Sequence, residues 1–142
     1  MIEASSAGFG RRLAALLYDA LLLAGILLII TTAAVFAHHG AILPQTDGAL
    51  AFAYRLTLLL VVVLYYTVNW TRSGSTLGMR AWRLRAVMDS GTPMRWPFAL
   101  LRLPLSLLAW APLALGVLWL YADPERAAVQ DRLSRTRVVR LP

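Results

Sequence analysis

The sequence predicts a mainly α-helical integral membrane protein, and three observations support this fold class. Hydrophobic residues make up 59% of the 142 residues, whereas a soluble domain is typically ~45–50% apolar. The apolar residues are concentrated in three long runs, and the arginines are clustered around those runs. We expect two full transmembrane helices, a third apolar helical segment broken by proline, and a small cytoplasmic β element, all within one domain over residues 11–142.

Charge and composition exclude several classes of function. The net charge is +7 and every basic residue is an arginine. Because these arginines flank apolar runs, they fit topology signals and anionic lipid headgroups better than nucleic acid. The chain has no cysteine and two adjacent histidines, so disulfides and thiolate metal sites are excluded. We expect no catalytic, cofactor-binding or metal-binding residues, and therefore no enzyme.

The first apolar run predicts a helix over residues 11–37, after a flexible tail over residues 1–10. Arg12 and Asp19 share one face of this helix, about 10.5 Å apart along its axis. Asp19 would lie roughly one third of the way into a ~30 Å hydrocarbon core, where a carboxylate must be neutral or partnered and marks a candidate functional site. A cleaved signal peptide is the alternative, but the run is far longer than a signal core of ~7–15 residues.

The second apolar run predicts a helix over residues 49–70, following a loop over residues 40–48 that contains no arginine. A basic segment over residues 71–96 comes next. Within it, residues 80–88 alternate in polarity as a half-buried strand does, and the sequence Asp89-Ser90-Gly91 is typical of a turn. Arginines of this segment are candidate contacts for lipid phosphate groups: Arg80, Arg83 and Arg85.

The third apolar run covers residues 97–121 and contains Arg102. Pro104, Pro112 and Gly116 are expected to break it, because proline removes a backbone donor and kinks a helix. A basic tail over residues 122–142 ends in a strand-like stretch, residues 135–141, which we expect to pair with residues 80–88. We detect no internal repeat.

Four segments together resemble the RDD family of small membrane proteins, named for one arginine and two aspartates. The first is Arg12-Leu-Ala-x-Leu-x-x-Asp19 in the first helix, and the second is Ser75-Thr-Leu-Gly-Met-Arg80, similar to a Gln-Thr-x-Gly-Lys/Arg loop. The third is Leu84-Arg-Ala-Val-Met-Asp-Ser-Gly91, similar to a strand and turn of the family. The last, residues 130–139, is similar to the terminal His-Asp-x-x-Ala-Gly-Thr-x-Val-Val.

The resemblance implies that Asp131 is the second aspartate of the motif and that Arg102 matches an arginine common in the third apolar run. Gln130 stands where the family usually has His, and Ser134-Arg135 stands where it usually has Ala-Gly. The resemblance implies no settled activity, because some members are associated with cation–proton exchange and others with scaffolding in membrane complexes.

Arginine placement predicts the topology. The N-terminal segment, residues 71–96 and the C-terminal tail are arginine-rich, and positive-inside bias therefore places all three in the cytoplasm. The third run must then return to the side it left, as a re-entrant hairpin turning near Pro112 or as a helix along the interface. The alternative is a single third span with the tail outside. We expect the plasma membrane, in this reading a bacterial inner membrane, with several spans and a cytoplasmic N-terminus.

The residues Arg12, Asp19, Arg102 and Asp131 are predicted to form a buried polar network. We expect two pairs, Asp19 with Arg102 and Arg12 with Asp131, because Arg12 is too far along its helix from Asp19. Such a network suits a structural or assembly module. The alternative is an oligomeric cation or proton transporter with Asp19 as its titrating carboxylate. The expected partners are the anionic bilayer surface and a second copy or another membrane protein, and nucleic acid is not among them.

Overall fold

Two long helices dominate the computed structural model, which describes residues 7–37, 48–111, 115–124 and 127–141. Helix α1 spans Phe9–Ala37 and helix α2 spans Ala49–Arg72. Both are long and apolar enough to cross a membrane, and few of their side chains are buried within the chain. The predicted arrangement of two long apolar helices, a shorter third one and a small sheet is confirmed. The loop predicted before α2 lies almost wholly outside the described residues.

The third apolar run forms helix α4, Trp96–Trp110, and then helix α5, Leu115–Leu118, followed by a 3-10 turn. At ~1.5 Å per residue α4 is only about 22 Å long, which is shorter than a ~30 Å hydrocarbon core. Helix α5 folds back on α4, since a Cβ on Gly116 would lie 2.8 Å from the Ala109 Cα. The expected turn at Pro112 lies outside the described residues.

Pro104 does not break the third run, contrary to the prediction. Helix α4 continues through it from Trp96 to Trp110. Proline removes one backbone donor, which leaves the carbonyl four residues earlier without its helical partner. Pro104 and Leu100 are both exposed on the outer side of α4, so the core packing of the opposite face is undisturbed.

The predicted sheet is present, with strand β1 at Leu84–Met88 and strand β2 at Thr136–Arg140. The strands are antiparallel, and Ala86 lies opposite Val138. Both strands are shorter than predicted. Residues 77–81 form a short helix, α3, and Trp82 is 42% exposed in the turn that follows it. The expectation that the strand begins at residue 80 is therefore wrong, and Trp82 lies outside it.

Each strand is preceded by the same helix and turn, although no repeat was detected in the sequence. Helix α6, Val129–Leu133, precedes β2 as α3 precedes β1. In both units the residue just before the strand has a left-handed backbone, with φ 54° at Arg83 and 52° at Arg135. Both units contain the pattern Arg-x-x-Arg-x-Arg-x-Val, at residues 80–87 and 132–139. The two units are thus a structural repeat joined through their strands.

Neighbouring backbone covers both outer edges of this sheet. The Ala86 N–H donates to the Gly74 carbonyl at 2.6 Å, and the Ala7 N–H donates to the Val138 carbonyl at 3.2 Å. A lone two-stranded sheet is marginally stable in water, and these bonds remove its free edges. Ala7 is buried, and helix α1 begins at Phe9, two residues before the start expected at about residue 11. Residues 1–6 of the expected tail lie outside the described residues.

The short helices and strands pack together at one end of the α1–α2 pair, which we call the packed end. The start of α1, the end of α2 and the two helix–strand units meet there in a core of small and apolar side chains. Its buried members are Ala7, Ala15, Trp70, Met79, Leu84, Ala86, Met94, Ala99 and Val138. Toward their other end, α1 and α2 are linked by a hydrogen bond between Thr31 and Tyr54 at 2.7 Å. The packed end therefore contains the candidate site.

Candidate functional site

A buried carboxylate on α6 is held by arginines from two different helices. Asp131 is fully buried, and its Oδ2 accepts a hydrogen bond of 2.7 Å from Arg12 Nη1 on α1. Arg102 Nη2 on α4 lies 2.6 Å from its Oδ1. That second approach is an ion pair without hydrogen-bond alignment. Asp131 therefore joins the beginning of α1, the middle of α4 and the C-terminal unit.

The two arginines are themselves fixed by further contacts. Arg12 Nε donates to the Ala7 carbonyl at 2.9 Å. Arg102 Nη1 donates to the Thr136 hydroxyl at the start of β2, and its guanidinium carbon lies 5.4 Å from the centroid of the Trp70 ring. A guanidinium stacked on an indole face gains a cation–π attraction. Each arginine thus connects the carboxylate to another element of the packed end.

The charges around Asp131 favour its ionised form. Burial alone would raise the pKa of this carboxyl, but the positive charges of Arg102 and Arg12 outweigh burial and hold the pKa below its ordinary value of 3.8. An opposite charge within a few ångströms stabilises a carboxylate in this way. The two guanidinium groups therefore keep Asp131 in its charged form, and the site consists of two cations around one anion.

The second buried carboxylate, Asp19 on α1, is held by uncharged donors. The Tyr65 hydroxyl donates to Oδ1 at 2.6 Å, the Gly78 N–H donates to Oδ1 at 2.8 Å, and the Thr76 hydroxyl donates to Oδ2. Gly78 allows this approach, because a Cβ there would lie 2.2 Å from the Ala15 carbonyl oxygen. The 75–80 loop and α3 are therefore packed directly on the buried face of α1.

The predicted network is thus divided differently from the expectation. All four residues are buried, and Arg12 does pair with Asp131. The expected pair of Asp19 with Arg102 is wrong, because Arg102 reaches Asp131. The physical reason is that α3 and the end of α2 already supply three donors to Asp19, while the helix–strand unit at the C-terminus brings Asp131 beside both arginines.

A cavity of about 250 Å³ lies between α1, α2 and α4 and touches both carboxylate clusters. Its polar lining includes Arg12, Arg102 and Gln130 from the first cluster and Asp19 from the second. The rest of the wall is mainly apolar, with leucines from α1 and α4 and two tryptophans. The arrangement can therefore hold a molecule with one polar end and one apolar end.

Three further arginines, proposed as contacts for lipid phosphate groups, lie on the surface of the first helix–strand unit. Arg80, Arg83 and Arg85 are exposed, and Arg80 Nη2 donates to the Ser73 hydroxyl at 2.8 Å. They do not line the cavity. Contact with lipid phosphate groups stays a prediction for these residues.

Sequence reasoning missed the partners of Asp19. Thr76 and Gly78 lie in the loop whose pattern was noticed, but nothing in that pattern alone shows that it closes on α1. Tyr65 lies in an apolar run with no acidic neighbour in sequence, and its hydrogen bond to Asp19 depends on the packing of α2 against α1. Thr136 and Trp70 were also missed as partners of Arg102, because both contacts depend on tertiary packing.

Comparison with known proteins adds one finding. The model of the RDD family matches residues 6–135, which covers α1, the first helix–strand unit, α6 and both buried aspartates, and ends just before β2. No curated protein and no solved structure matches the chain.

Proposed function

The chain belongs to the RDD family, whose members are membrane proteins, and from that premise we propose that it is a structural or assembly module of the membrane. The observation that carries this proposal is the ion-paired cluster around Asp131. One carboxylate on α6 connects α1 through Arg12 and α4 through Arg102. Removing Asp131 would leave two buried guanidinium groups without their shared counter-charge, so this carboxylate fixes one arrangement of the packed end.

The exposed faces of the long helices support a role in assembly. Large apolar side chains are exposed along the parts of α1 and α2 that lie outside the packed end. They include Leu21, Leu28, Ile29, Phe36, Phe52 and Leu59. A bilayer or a neighbouring helix can cover such a surface. We propose the bilayer with its anionic headgroups, together with a second copy or another membrane protein, as the partners, with no nucleic acid and no catalytic role.

The location proposed is the plasma membrane of a bacterium, with a multi-pass chain and a cytoplasmic N-terminus. Support comes from the packed end, which gathers arginine-rich segments from the start, middle and end of the chain. Segments on one end of a helix pair lie on one side of a bilayer, and positive-inside bias makes that side cytoplasmic. Helix α4 is short and α5 folds back on it, which fits a third run that does not cross.

Single cysteines test this topology in the Cys-free chain. Cysteines replacing the exposed residues Ser90 and Leu133 are expected to resist an impermeant thiol reagent in intact cells. A cysteine replacing Gln45, in the predicted external loop, is expected to react. Labelling of Leu133→Cys from outside, with Ser90→Cys protected, would show that the third run crosses the membrane.

Native gel electrophoresis of gently solubilised membranes tests the assembly role. The wild-type chain is expected to migrate in a complex larger than a monomer, and Asp131→Asn is expected to lose that complex while still fractionating with membranes. Asp89→Asn, which changes an exposed carboxylate, is the matched control and should keep the complex. A wild-type chain that runs only as a monomer contradicts the proposal.

A second candidate function is cation or proton transport, and one observation favours it: Asp19 lines a cavity that is also lined by Arg12. Its three hydrogen bonds favour a structural role instead, because each oxygen is already engaged. Flux across liposomes containing purified protein separates the two. Transport requires a cation or proton flux that Asp19→Asn abolishes, whereas an assembly module shows no flux above empty liposomes.

A further inference from the structure

Several residues that line the cavity between α1, α2 and α4 have a buried polar atom without a hydrogen bond. Among the described residues, five buried side-chain polar atoms lack a hydrogen bond, and four of them belong to residues that line this cavity. They are Arg12 Nη2, Trp70 Nε1, Arg102 Nε and Gln130 Oε1. All four side chains are at least nine-tenths buried. Buried polar groups in proteins are almost always hydrogen-bonded, so this concentration indicates an occupant.

The chemistry of these atoms specifies the polar part of the occupant. Three of the four are donors and one is an acceptor, so the group that satisfies them is rich in acceptors. Guanidinium donors favour carboxylate and phosphate oxygens. The two guanidinium groups share a single carboxylate, Asp131, and therefore carry one uncompensated positive charge. Asp19 also lines the cavity, but it belongs to the separate cluster and already receives three hydrogen bonds.

The rest of the wall specifies the apolar part. Leu16, Leu103, Leu107 and Trp110 form apolar parts of the cavity wall. Leu107 is 68% exposed, so the cavity reaches the apolar outer surface of α4 there. A molecule whose charged end lies beside Arg12 and Arg102 can thus extend a hydrocarbon chain past Leu107 into the surrounding lipid.

We infer that this cavity binds an anionic amphiphile, with its phosphate or carboxylate oxygens against Arg12, Arg102 and Trp70 and its hydrocarbon chain leaving beside Leu107. The inference is independent of the proposed assembly role, because it depends on the lining of one cavity within a single chain. It also differs from surface attraction to arginines such as Arg80, which would hold many anionic lipids without a defined place.

Native mass spectrometry of the purified full chain tests this site, using micelles of a nonionic detergent doped with dioleoyl phosphatidic acid. The expected result is one lipid retained per chain. Two further samples separate the sources of the chemistry: dioleoylglycerol has the same chains without phosphate, and inorganic phosphate has the charge without chains. Neither is expected to bind detectably. Retention of dioleoylglycerol to the same extent, or equal binding of inorganic phosphate, overturns the proposal of an anionic amphiphile.

Two matched pairs of variants distinguish the cavity from the arginine-rich surface. Trp70→Phe keeps an aromatic ring, although a smaller one, and removes the indole N–H donor. It is expected to weaken the binding of phosphatidic acid about tenfold, as the loss of one hydrogen bond to a charged group does. Trp82→Phe makes the same change at an exposed turn and should bind as the wild type does. Ser106→Leu fills the cavity and should abolish binding, while Ser90→Leu should not. Unchanged retention in both cavity variants would show that the lipid binds elsewhere and that the cavity contains only water.

Discussion

The two buried carboxylates of this chain are stabilised by opposite means. Asp131, on the short helix α6, is paired with two guanidinium groups that come from α1 and α4. Asp19, inside the long helix α1, receives its hydrogen bonds from Tyr65, Thr76 and the Gly78 backbone, with no charged group among them. Both are nearly inaccessible to solvent, at 0% and 3% exposure.

The contrast between charged partners at Asp131 and uncharged donors at Asp19 shows how an apolar helix can include an acidic residue. A buried ion pair must repay the desolvation of two charges, and the Asp131 cluster does so by holding three separate elements in place. Asp19 needs only dipolar donors, which the 75–80 loop and α2 bring to it through close packing at Gly78. One carboxylate therefore determines how distant elements meet, and the other determines how one loop closes on α1.

Replacement of Asp131 is expected to have the largest effect on stability. Asp131→Leu leaves Arg12 and Arg102 buried without a counter-charge, and we expect the free energy of unfolding to fall by about 3–5 kcal/mol. Denaturant titration in nonionic micelles, followed by tryptophan fluorescence, measures this. Asp89→Leu, at an exposed carboxylate, should change stability by less than about 0.5 kcal/mol. If Asp131→Leu lowers the free energy of unfolding no more than Asp89→Leu does, the burial of Arg12 and Arg102 does not depend on Asp131.

Protonation of Asp131 at low pH should remove its negative charge and lower stability, as the substitution Asp131→Asn does. The pKa of this carboxyl in the folded chain lies below its ordinary value of 3.8, so its contribution to stability is present above about pH 4 and is lost as the pH falls through the lower folded value. The stability difference between wild type and Asp131→Asn should therefore be constant from neutral pH to about pH 4 and shrink below it. A difference that already shrinks near neutral pH contradicts the ionised pair.

A pair of double-mutant cycles sharpens the assignment of Arg102. The coupling free energy between Arg102→Leu and Asp131→Leu is expected to be about 0.5–3 kcal/mol, as for residues in direct contact. The cycle of Arg102→Leu with Asp19→Leu should give a value near zero, because Asp19 and Arg102 belong to different clusters. A larger coupling to Asp19 than to Asp131 would reverse the assignment made from the structure.

Gly78→Ala tests the close packing on which Asp19 depends. The added Cβ would lie 2.2 Å from the Ala15 carbonyl oxygen and 2.9 Å from the Asp19 Cγ, so α3 must move away from α1. Overpacking of this kind typically costs about 1–3 kcal/mol. Gly10→Ala is the control, since a Cβ there meets nothing within 4 Å. Equal melting temperatures for the two variants would mean that α3 and α1 are not in contact.

The smallest effect is expected for Asp19→Asn. The amide oxygen can keep the donors from Tyr65 and Gly78, and the amide nitrogen can donate to the Thr76 hydroxyl in place of accepting from it. We expect a loss below about 1 kcal/mol, the usual net value of one hydrogen bond. Asp19→Leu removes every acceptor and should cost about 1–3 kcal/mol. A loss for Asp19→Asn as large as for Asp131→Asn would end the distinction between the two carboxylates.

The main elements of the fold could be predicted because the sequence patterns that indicate them extend over many residues. Each of the two apolar helices repeats its pattern over many turns, and the alternation around Leu84 and Val138 indicates strands. Helices α3 and α6 have only 5 residues each, too few for a helical period to be recognised. The pairing of Arg12 with Asp131 could be anticipated from the charges at one end of α1.

Other parts of the site could not be predicted from spacing. Asp19 and Arg102 have opposite charges, but charge alone does not show which of two carboxylates an arginine reaches. The repeated pattern at residues 80–87 and 132–139 was present in the sequence and was missed because it is short and mostly arginine. Arg135, where the family usually has Gly, has a left-handed backbone with φ 52°. This explains why glycine suits that position.

The pairing of Arg12 with Asp131 spans 119 residues of the chain, and this separation sets an order of events during synthesis. Arg12 leaves the ribosome early, and its counter-charge is made only after both long helices and α4 exist. Closing so large a loop is entropically costly and slow compared with local helix formation. Until Asp131 arrives, the start of α1 and the middle of α4 carry unpaired cations, so an unfinished chain differs electrostatically from a complete one. The packed end can therefore reach its final charge balance only when the last helix–strand unit is in place.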